Sequence, residues 1–355
     1  MKHLTLLSLF LAVFACSSKI HDIPSDELGI KEKLEKYLTT CEEEGFSGTV
    51  LVEKEGEILI SSGYGKLRKK SDLVNTPEAI FDIGSITKQF TATAILLLEM
   101  QDKLSVEDPI GKYLPKLNEE KSKISIHQLL THTAGFKGAL GRDRELISDI
   151  DFIQKANGTK LIFSPGEKYD YSNVGYSLLG IIIERISGET YEQFLRKNLF
   201  LPAAMEHTGY VLPDWDKANM AYGYKVDELP IDQNWNEEGP GWHLKGNGGI
   251  LSTIEDMYAW HKALLSDKIL DENAKKKLYT KHTPEYDNTS FYGYGWAIFP
   301  TSRGTELVAH NGGNGVFFAD FWRYFEEEVV IIVLSNRAND LSDRLAGQLR
   351  KILIP

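Results

Sequence analysis

Two residues with reactive side chains, Ser85 and Lys88, stand three positions apart in the segment FDIGSITKQFTATAILLLEM, residues 81–100. If a helix begins near Ser85, side chains at this spacing share one face, so the hydroxyl and the amine lie side by side. A serine hydroxyl needs a neighbouring base to act as a nucleophile, and Lys88 can be that base if burial lowers the pKa of its amine. The pattern predicts acyl transfer to Ser85, whose backbone N–H can help to bind the oxyanion.

The apolar run that follows supports this interpretation. From Ala92 to Met100 only Thr93 and Glu99 are polar, which predicts a helix buried nearly all round. That burial would desolvate the lysine. Serine and lysine are common residues, however, so the spacing also arises by chance, and the rest of the chain must support it.

A second candidate motif is Tyr171-Ser172-Asn173, on the loop that enters an apolar helix. A tyrosine phenol near a cation can serve as acid or base, and an asparagine amide can bind both the donor and the acceptor of a substrate amide. The structural alternative is that Asn173 caps the helix and Tyr171 is a packing residue. Tyr286 begins a similar triplet but lies in a polar loop with no helix after it, which indicates a surface position.

A third candidate motif, His310-Asn311-Gly312-Gly313, lies between two strand patterns. We expect its backbone N–H groups to face a cleft along a strand edge, where small residues let a substrate approach closely. The rival histidine in His207-Thr208-Gly209 lies outside any strand pattern and is better explained as a turn after a helix.

Other polar signals favour structural roles. His127 and His132 are five residues apart and lack the glutamate of a metalloprotease helix, so they are not expected to bind zinc. No strand pattern precedes Gly246-Asn-Gly-Gly249, which predicts a tight turn rather than a phosphate loop. The helix after this turn should begin with a capping box at Ser252-Thr-Ile-Glu255. We expect no metal and no cofactor.

The first 15 residues have the features of a signal peptide: a lysine at position 2, then an apolar run too short to span a bilayer. The run ends at Ala15-Cys16, which looks like a bacterial lipoprotein signal with cleavage before Cys16 and lipid on its thiol. Residues 16–26 would then be a lipidated tether, and the protein would be exported and anchored to a membrane of the cell envelope. Cys41, the only other cysteine, is expected to be a packing residue.

Charge and length limit the other classes of function. The formal net charge of the 355-residue chain is −11, and it becomes −12 without residues 1–15, which argues against nucleic-acid binding. The remaining residues, about 340, are ample for a hydrophobic core. A small-molecule or peptide substrate fits better, and the oligomeric state stays open.

Hydrophobic periodicity predicts an α+β fold. The predicted elements, in chain order, are a helix over 30–44, two strands on either side of Glu55-Gly56, helices over 84–102, 125–131, 174–186, 190–198 and 253–265, strands in GYGWAIFP, TELVAH, GVFFADFWRYF and EEVVIIVLSN, and a helix in DLSDRLAGQLRKILI. The simplest arrangement pairs residues 27–80 with 289–355 in one antiparallel sheet flanked by helices. Residues 81–288 would form a mostly helical second lobe, with the active site in the cleft between the lobes.

In their order along the chain, Ser85-x-x-Lys88, Tyr171-x-Asn173 and His310-x-Gly312 resemble the motifs of the penicillin-recognising serine hydrolases. This family includes class C-like β-lactamases, D-alanyl-D-alanine peptidases and related esterases. The similarity spans about residues 45–336 and includes the segments ISIHQLLTHTAGF, FSPGEKYDYSNVGYSLLG and GNGGILSTIEDM. It implies a β-lactamase-like fold with one catalytic unit.

The resemblance also implies a role for each motif residue. Ser85 would be the acylated nucleophile, Lys88 its proton acceptor or relay, and Tyr171 the group that passes a proton to the leaving group. Asn173 would bind the substrate amide, and His310, Gly312 and Gly313 would also bind the substrate. The N–H groups of Ser85 and Gly313 would form the oxyanion hole. Which of Lys88 and Tyr171 is the base stays open, because coupled groups need not titrate separately.

The chain departs from the class C pattern at His310, where those enzymes carry lysine. An ammonium suits the carboxylate of a β-lactam or a peptide, whereas histidine is charged only near or below about pH 6.5. We therefore expect a serine hydrolase that cleaves D-amino-acid peptides, amides or esters, with slow or no turnover of penicillins. The alternative is an envelope lipoprotein that binds β-lactams or peptidoglycan as a sensor or scaffold and acylates slowly or not at all.

Overall fold

The computed structural model of this chain describes residues 28–212, 214–225, 235 and 239–355. The predicted signal peptide and the tether at Cys16 lie outside these residues. Within the described ranges, no helix is both long enough and apolar enough to cross a membrane.

Most helices and the short strands lie between two regions of longer strands, one near each end of the described chain. The α-helices are α1 (Ile30–Glu43), α2 (Thr87–Met100), α3 (Glu119–Ser122), α4 (Ile126–Leu130), α5 (Asp149–Gly158), α6 (Asn173–Ser187), α7 (Tyr191–Leu195), α8 (Ile254–Leu265), α9 (Glu272–Leu278) and α10 (Asp340–Leu353). The strands are β1 (Gly48–Lys54), β2 (Glu57–Tyr64), β3 (Phe81–Asp82), β4 (Leu251–Ser252), β5 (Thr283–Pro284), β6 (Phe291–Tyr292), β7 (Ala297–Pro300), β8 (Glu306–Gly313), β9 (Phe318–Tyr324) and β10 (Val329–Ser335).

Eight strands form one antiparallel sheet in the order β2-β1-β10-β9-β8-β7-β6-β5. The hairpin β1–β2 lies beside the last strand, with Val50 opposite Val333. Strands from both ends of the chain therefore share one sheet, and the predicted α+β fold is confirmed. The sheet begins earlier than residue 289, because Thr283–Pro284 already pairs with β6.

Strand β10 is buried along its whole length and on both faces, which is why it reads VVIIVLS without a polar alternation. Along β10, Ile331 and Val333 pack with α1 and α10 on one face, while Ile332 and Leu334 join the larger core on the other. On the first face lies Cys41, which is buried and free, as expected for a packing residue. The flanking helices therefore follow directly from the strand periodicity.

The helix α2 lies in the middle of the larger core. Its residues from Thr87 to Leu96 and Leu98 are buried, so the burial predicted for Ala92–Met100 holds for most of that run, although Met100 at its end is 40% exposed. An aromatic cluster packs against it, with Phe90 at 4.9 Å from Trp260 between ring centroids. Such a helix is held in place from every side, so the residues at its start have fixed positions.

Several details differ from the predictions. The short helices α3 and α9 were not predicted. Helix α5 was not predicted, because residues 137–160 show no clear period. The segment 190–198 is helical only to Leu195 and continues as a π-helix over Arg196–Phe200. Helix α8 is capped by Thr253 instead of Ser252, since the Ser252 hydroxyl is paired with that of Thr208.

Candidate active site

The turn that carries Ser85 is fixed before α2 begins. Gly84–Ile86 forms one turn of 3₁₀ helix, and Gly84 adopts a φ of +53° that favours glycine. Its N–H donates to the carboxylate of Asp82 at 2.7 Å, whose second oxygen accepts from the amide of Asn314 at 2.8 Å. Ser85 therefore stands partly exposed at the head of a buried helix.

Lys88 is fully buried and reaches Ser85 from the first turn of α2. Its Nζ atom lies 3.1 Å from Ser85 Oγ, 2.8 Å from Asn173 Oδ1 and 2.7 Å from the carbonyl oxygen of Asn247. A neutral amine has two N–H bonds and one lone pair. Because the two carbonyl oxygens can only accept, they use both N–H bonds, and the lone pair then faces the Ser85 hydroxyl.

The surroundings of Lys88 favour its neutral form. Burial holds the pKa of the amine well below its usual value, and the charge of Asp143 opposes only part of this change. The Nζ atom also lies 4.7 Å from the centre of the Tyr171 ring. The predicted serine and base are thus brought together in a geometry that suits proton transfer from Ser85.

Helix α6 places the second motif at the same point. Asn173 is the first residue of the helix and its side-chain oxygen accepts from Lys88, so it does not act as the cap, a position held by Ser172. The Tyr171 hydroxyl is buried and makes no hydrogen bond to the residues that the structure describes. Burial raises the pKa of this phenol, although the nearby Ser85 hydroxyl lowers it in part. Tyr171 is therefore protonated at neutral pH and can donate.

The third motif lies at the end of β8, directly against the Ser85 turn. A Cβ atom on Gly312 would lie 2.0 Å from the Ile83 carbonyl oxygen and 2.8 Å from Ser85 N, so only glycine fits. At the tip of the hairpin, Asn314 N bonds to the carbonyl oxygen of Phe317. Because hydrogen bonding alternates along an antiparallel pair, the N–H of Gly313 points to the opposite edge, which β7 leaves uncovered. The N–H groups of Ser85 and Gly313 thus border one exposed position.

His310 lies beside this position but is only 1% exposed. Its Nδ1 donates to the carbonyl oxygen of Asn311 at 2.6 Å, so its Nε2 must accept from the Tyr292 hydroxyl at 3.0 Å. Burial lowers the pKa of His310 to about 3. The imidazole is thus neutral at physiological pH with both nitrogens engaged, and its role in substrate binding stays a prediction.

Several contributors to the site were not predicted, including Asp82 and Asn314 at the Ser85 turn. The carbonyl of Asn247 was missed because the turn at residues 246–249 was recognised without knowing where its oxygens point. Tyr286 is 51% exposed, in agreement with its predicted surface position, yet its hydroxyl accepts from the N–H of Tyr171 at 2.9 Å. His132 lies behind Tyr171, with ring centroids 4.3 Å apart. No local sequence signal could have found these contacts.

The remaining histidines of the sequence analysis lie away from Ser85. His207 is in a turn after the π-helix, as predicted, and His127 pairs with the Tyr294 hydroxyl at 2.7 Å. Among the described residues, no group of three or more histidine, cysteine, aspartate or glutamate side chains could hold a metal ion.

Comparisons with known proteins agree with this geometry. Residues 32–353 match the family described as Beta-lactamase. The chain is 30% identical over 336 residues to "Penicillin-binding protein 4*" of Bacillus subtilis, covering 88% of this chain and 74% of that protein. It spans 66%, 74% and 62% of the lengths of three curated relatives.

Two solved structures share the fold. The octameric penicillin-binding protein homologue from Pyrococcus abyssi superposes with a TM-score of 0.76 at 28% identity, covering 90% of this chain and 77% of that one. The penicillin-binding protein from Bacillus halodurans gives a TM-score of 0.73 at 26% identity, covering 88% of this chain and 98% of that one. The similarity extends over both the sheet and the helices around α2.

Proposed function

This chain belongs to the beta-lactamase family, and we propose that it is a serine hydrolase that forms an acyl-enzyme on Ser85. The observation that carries the proposal is the contact between Lys88 and Ser85: a buried amine, 3.1 Å from the hydroxyl, with its other two partners both acceptors. Family members of this fold are generally serine hydrolases, which is consistent with such a pair.

The chemistry can be written from the residues at the site. As Ser85 Oγ bonds to the carbonyl carbon of the substrate, its proton passes to the lone pair of Lys88. The carbonyl electron pair moves to oxygen, which the N–H groups of Ser85 and Gly313 bind. When the intermediate collapses, the bond to the leaving group breaks and Tyr171 supplies a proton to it. Tyr171 recovers its proton from the Lys88 ammonium, directly or through water.

Deacylation repeats these steps with water. Water attacks the carbonyl of the acyl ester and gives a proton to the base, and Ser85 leaves with a proton as the acid is released. The raised pKa of Tyr171 and the lowered pKa of Lys88 support the assignment of Lys88 as base and Tyr171 as acid.

The substrates that we propose are D-amino-acid peptides, amides or esters. Asn173 Oδ1 is bound to Lys88, so the amide nitrogen of Asn173 stays available to a substrate carbonyl. His310 argues against efficient turnover of β-lactams, because a neutral, buried imidazole supplies no fixed cation for their carboxylate. Esters and amides that lack such a carboxylate do not need a cation at position 310.

Intact-protein mass spectrometry tests the acyl-enzyme. The full chain and its Ser85→Ala variant are incubated with an activated ester, a D-alanyl peptide and a penicillin, and product release is followed in parallel. A mass increase or sustained turnover that requires Ser85 supports the proposal. Equal reaction of the Ser85→Ala protein would refute it.

A second candidate function is penicillin binding without turnover, because relatives carry that name. Such a protein would acylate Ser85 and then stop. The same experiment separates the two functions: a binding protein releases one equivalent of product, whereas a hydrolase continues.

We also propose that the protein is exported and held at a membrane through lipid on Cys16. The support is the sequence alone, namely the apolar run that ends at Ala15-Cys16. Metabolic labelling with a fatty acid should mark the wild type and the Cys41→Ser control but not the Cys16→Ser variant. Labelling of the Cys16→Ser variant would contradict the proposal.

A further inference from the structure

A buried histidine, His132, holds both neighbours of Tyr171 in place. Its carbonyl oxygen accepts from the N–H of Asp170 at 3.0 Å, and its Nδ1 accepts from the N–H of Ser172 at 3.1 Å. One residue therefore binds the backbone on either side of Tyr171. The N–H of Tyr171 itself bonds to Tyr286, so three consecutive amides of this loop are fixed.

The backbone of His132 is itself held in an uncommon conformation. Its φ is +58°, in the left-handed region that few residues other than glycine adopt. Such a conformation persists where the surrounding contacts require it, and such residues cluster at functional sites. Here the conformation allows the carbonyl and the ring of His132 to reach the same loop.

The ring of His132 packs behind the Tyr171 ring. The two centroids are 4.3 Å apart at an interplanar angle of 36°, and Tyr292 and Tyr176 lie at 4.6 and 5.0 Å. Only 2% of His132 is exposed. The Tyr171 ring thus lies between the His132 ring and the amine of Lys88.

The hydrogen bonds of His132 define its tautomer. Because Nδ1 accepts from Ser172, the proton of the neutral ring is on Nε2, which has no hydrogen-bond partner among the described residues. Burial keeps the pKa of His132 well below its usual value. The imidazole therefore acts as a neutral acceptor toward the Ser172 N–H.

We propose that His132 is a positioning residue, which sets the place of the Tyr171 phenol through the loop on both sides of it. This inference rests on the proposed function, since the consequence of positioning is faster acylation of Ser85. His132 does not touch the substrate. It determines where the proton donor stands relative to Lys88 and Ser85.

Two variants are compatible with the left-handed backbone and separate the contribution of the imidazole ring from that of the hydrogen-bond acceptor. His132→Gly removes the ring and the acceptor. His132→Asn removes the ring but keeps an acceptor near the position of Nδ1, and asparagine tolerates this conformation. His127→Ala is the matched control, because His127 lies in the same segment and also bonds to a tyrosine away from Ser85.

The acylation rate constant is measured with an activated ester, with folding checked by circular dichroism. His132→Gly should lower the rate constant by about 100-fold with a smaller change in KM, as expected for a displaced catalytic group. His132→Asn should recover about tenfold of this loss, and His127→Ala should resemble the wild type. The acidic limb of the pH profile should move to higher pH in His132→Gly, because water that reaches Lys88 raises the pKa of its amine.

Acylation by folded His132→Gly within about twofold of the wild type would overturn the proposal, as would an unchanged pH profile. If His132→Gly does not fold, His132→Asn decides, and a rate constant below about a hundredth of the wild-type value would overturn it. Amide hydrogen exchange gives a readout independent of activity: the N–H of Ser172 should exchange faster in His132→Gly than in His132→Asn. An inert wild type with this exchange pattern would refute the proposed hydrolase and leave the positioning of the loop intact.

Discussion

The end of β8 touches the turn before α2 so closely that a Cβ atom on Gly312 would lie 2.0 Å from the carbonyl oxygen of Ile83. The contact is between two backbones, so neither side can yield by rotating a side chain. Through it the large sheet fixes the turn that carries Ser85. The glycine of the third motif is therefore explained by packing as well as by access for a substrate.

Gly312→Ala should separate β8 from the Ser85 turn. We expect a loss of stability of about 1–3 kcal/mol, typical of overpacking, and a large loss of acylation because the two oxyanion donors move apart. Gly347→Ala is the control. Gly347 lies within α10, and a Cβ atom there would make an ordinary contact at 3.7 Å with Trp322. That change should be neutral or stabilising. Thermal unfolding and kcat/KM measure both effects, and an active Gly312→Ala protein would contradict the prediction.

Lys88→Met removes the proposed base while keeping the length of the side chain. We expect kcat/KM for an activated ester to fall by about 10²–10⁴, the range of general base catalysis. The exposed Lys112, changed to methionine, controls for the loss of a lysine elsewhere. Stopped-flow acylation gives the comparison. A Lys88→Met protein with wild-type acylation would show that the lysine is not the base.

Tyr171→Phe removes a hydroxyl that has no hydrogen-bond partner among the described residues. Stability should therefore change little, by less than about 1 kcal/mol. Activity toward an amide should fall more than activity toward an activated ester, because a poor leaving group depends on the proton from Tyr171. Tyr258→Phe, at a partly exposed tyrosine on α8, is the control. Equal losses on the two substrates would argue against Tyr171 as the acid.

The neutral state of His310 predicts substrate preference. The purified protein should have a higher specificity constant for a small ester than for a cephalosporin, because no ammonium stands at position 310 to bind the carboxylate of the cephalosporin. His310→Gln, also neutral, should keep this preference. Steady-state kinetics with both substrates provide the ratio, and a ratio that favours the cephalosporin would refute the prediction.

Buried neutral histidines should make the protein less stable in mild acid. Burial lowers the pKa of His310 to about 3 and, together with the charge of Arg323, that of His261 to about 2. The carboxylate of Glu53, 3.5 Å from His261 Nε2, opposes part of the second change. In the unfolded chain both titrate near about 6.5, so below that pH the unfolded state binds more protons and stability falls toward pH 3. Carboxyl groups whose pKa burial raises oppose part of this loss: Asp82, with a pKa of about 6, and others such as Asp256 and Glu285.

His261→Asn tests this pH dependence. Asparagine keeps an acceptor for the Arg323 N–H, which bonds to His261 Nδ1 at 3.1 Å, but does not titrate. Urea unfolding at about pH 7, 6 and 5 should give a shallower decline in the free energy of unfolding than in the wild type. His207→Asn is the control for a histidine at the surface. A steeper decline in His261→Asn would contradict the assignment.

Much of this architecture is encoded locally. The strand alternation around Glu55-Gly56, the apolar run after Lys88 and the apolar pattern of α6 each predict an element that the structure contains. The order of the three motifs, together with the resemblance of their connecting segments, was enough to indicate the family. Helix α5 was not predicted, because only three of its residues are buried and they are too few to set a helical period: Phe152, Ile153 and Ala156.

Only the tertiary structure decided which atoms meet around Ser85. The three-residue spacing predicted the contact between Lys88 and Ser85, but the partners that orient the amine are 85 and 159 residues away in the chain, at Asn173 and Asn247. The burial of His310 and the placement of His132 behind Tyr171 were equally unpredicted. Local periodicity reports which face of an element is apolar, whereas hydrogen bonds over such separations depend on how several helices and the sheet edge pack against one another.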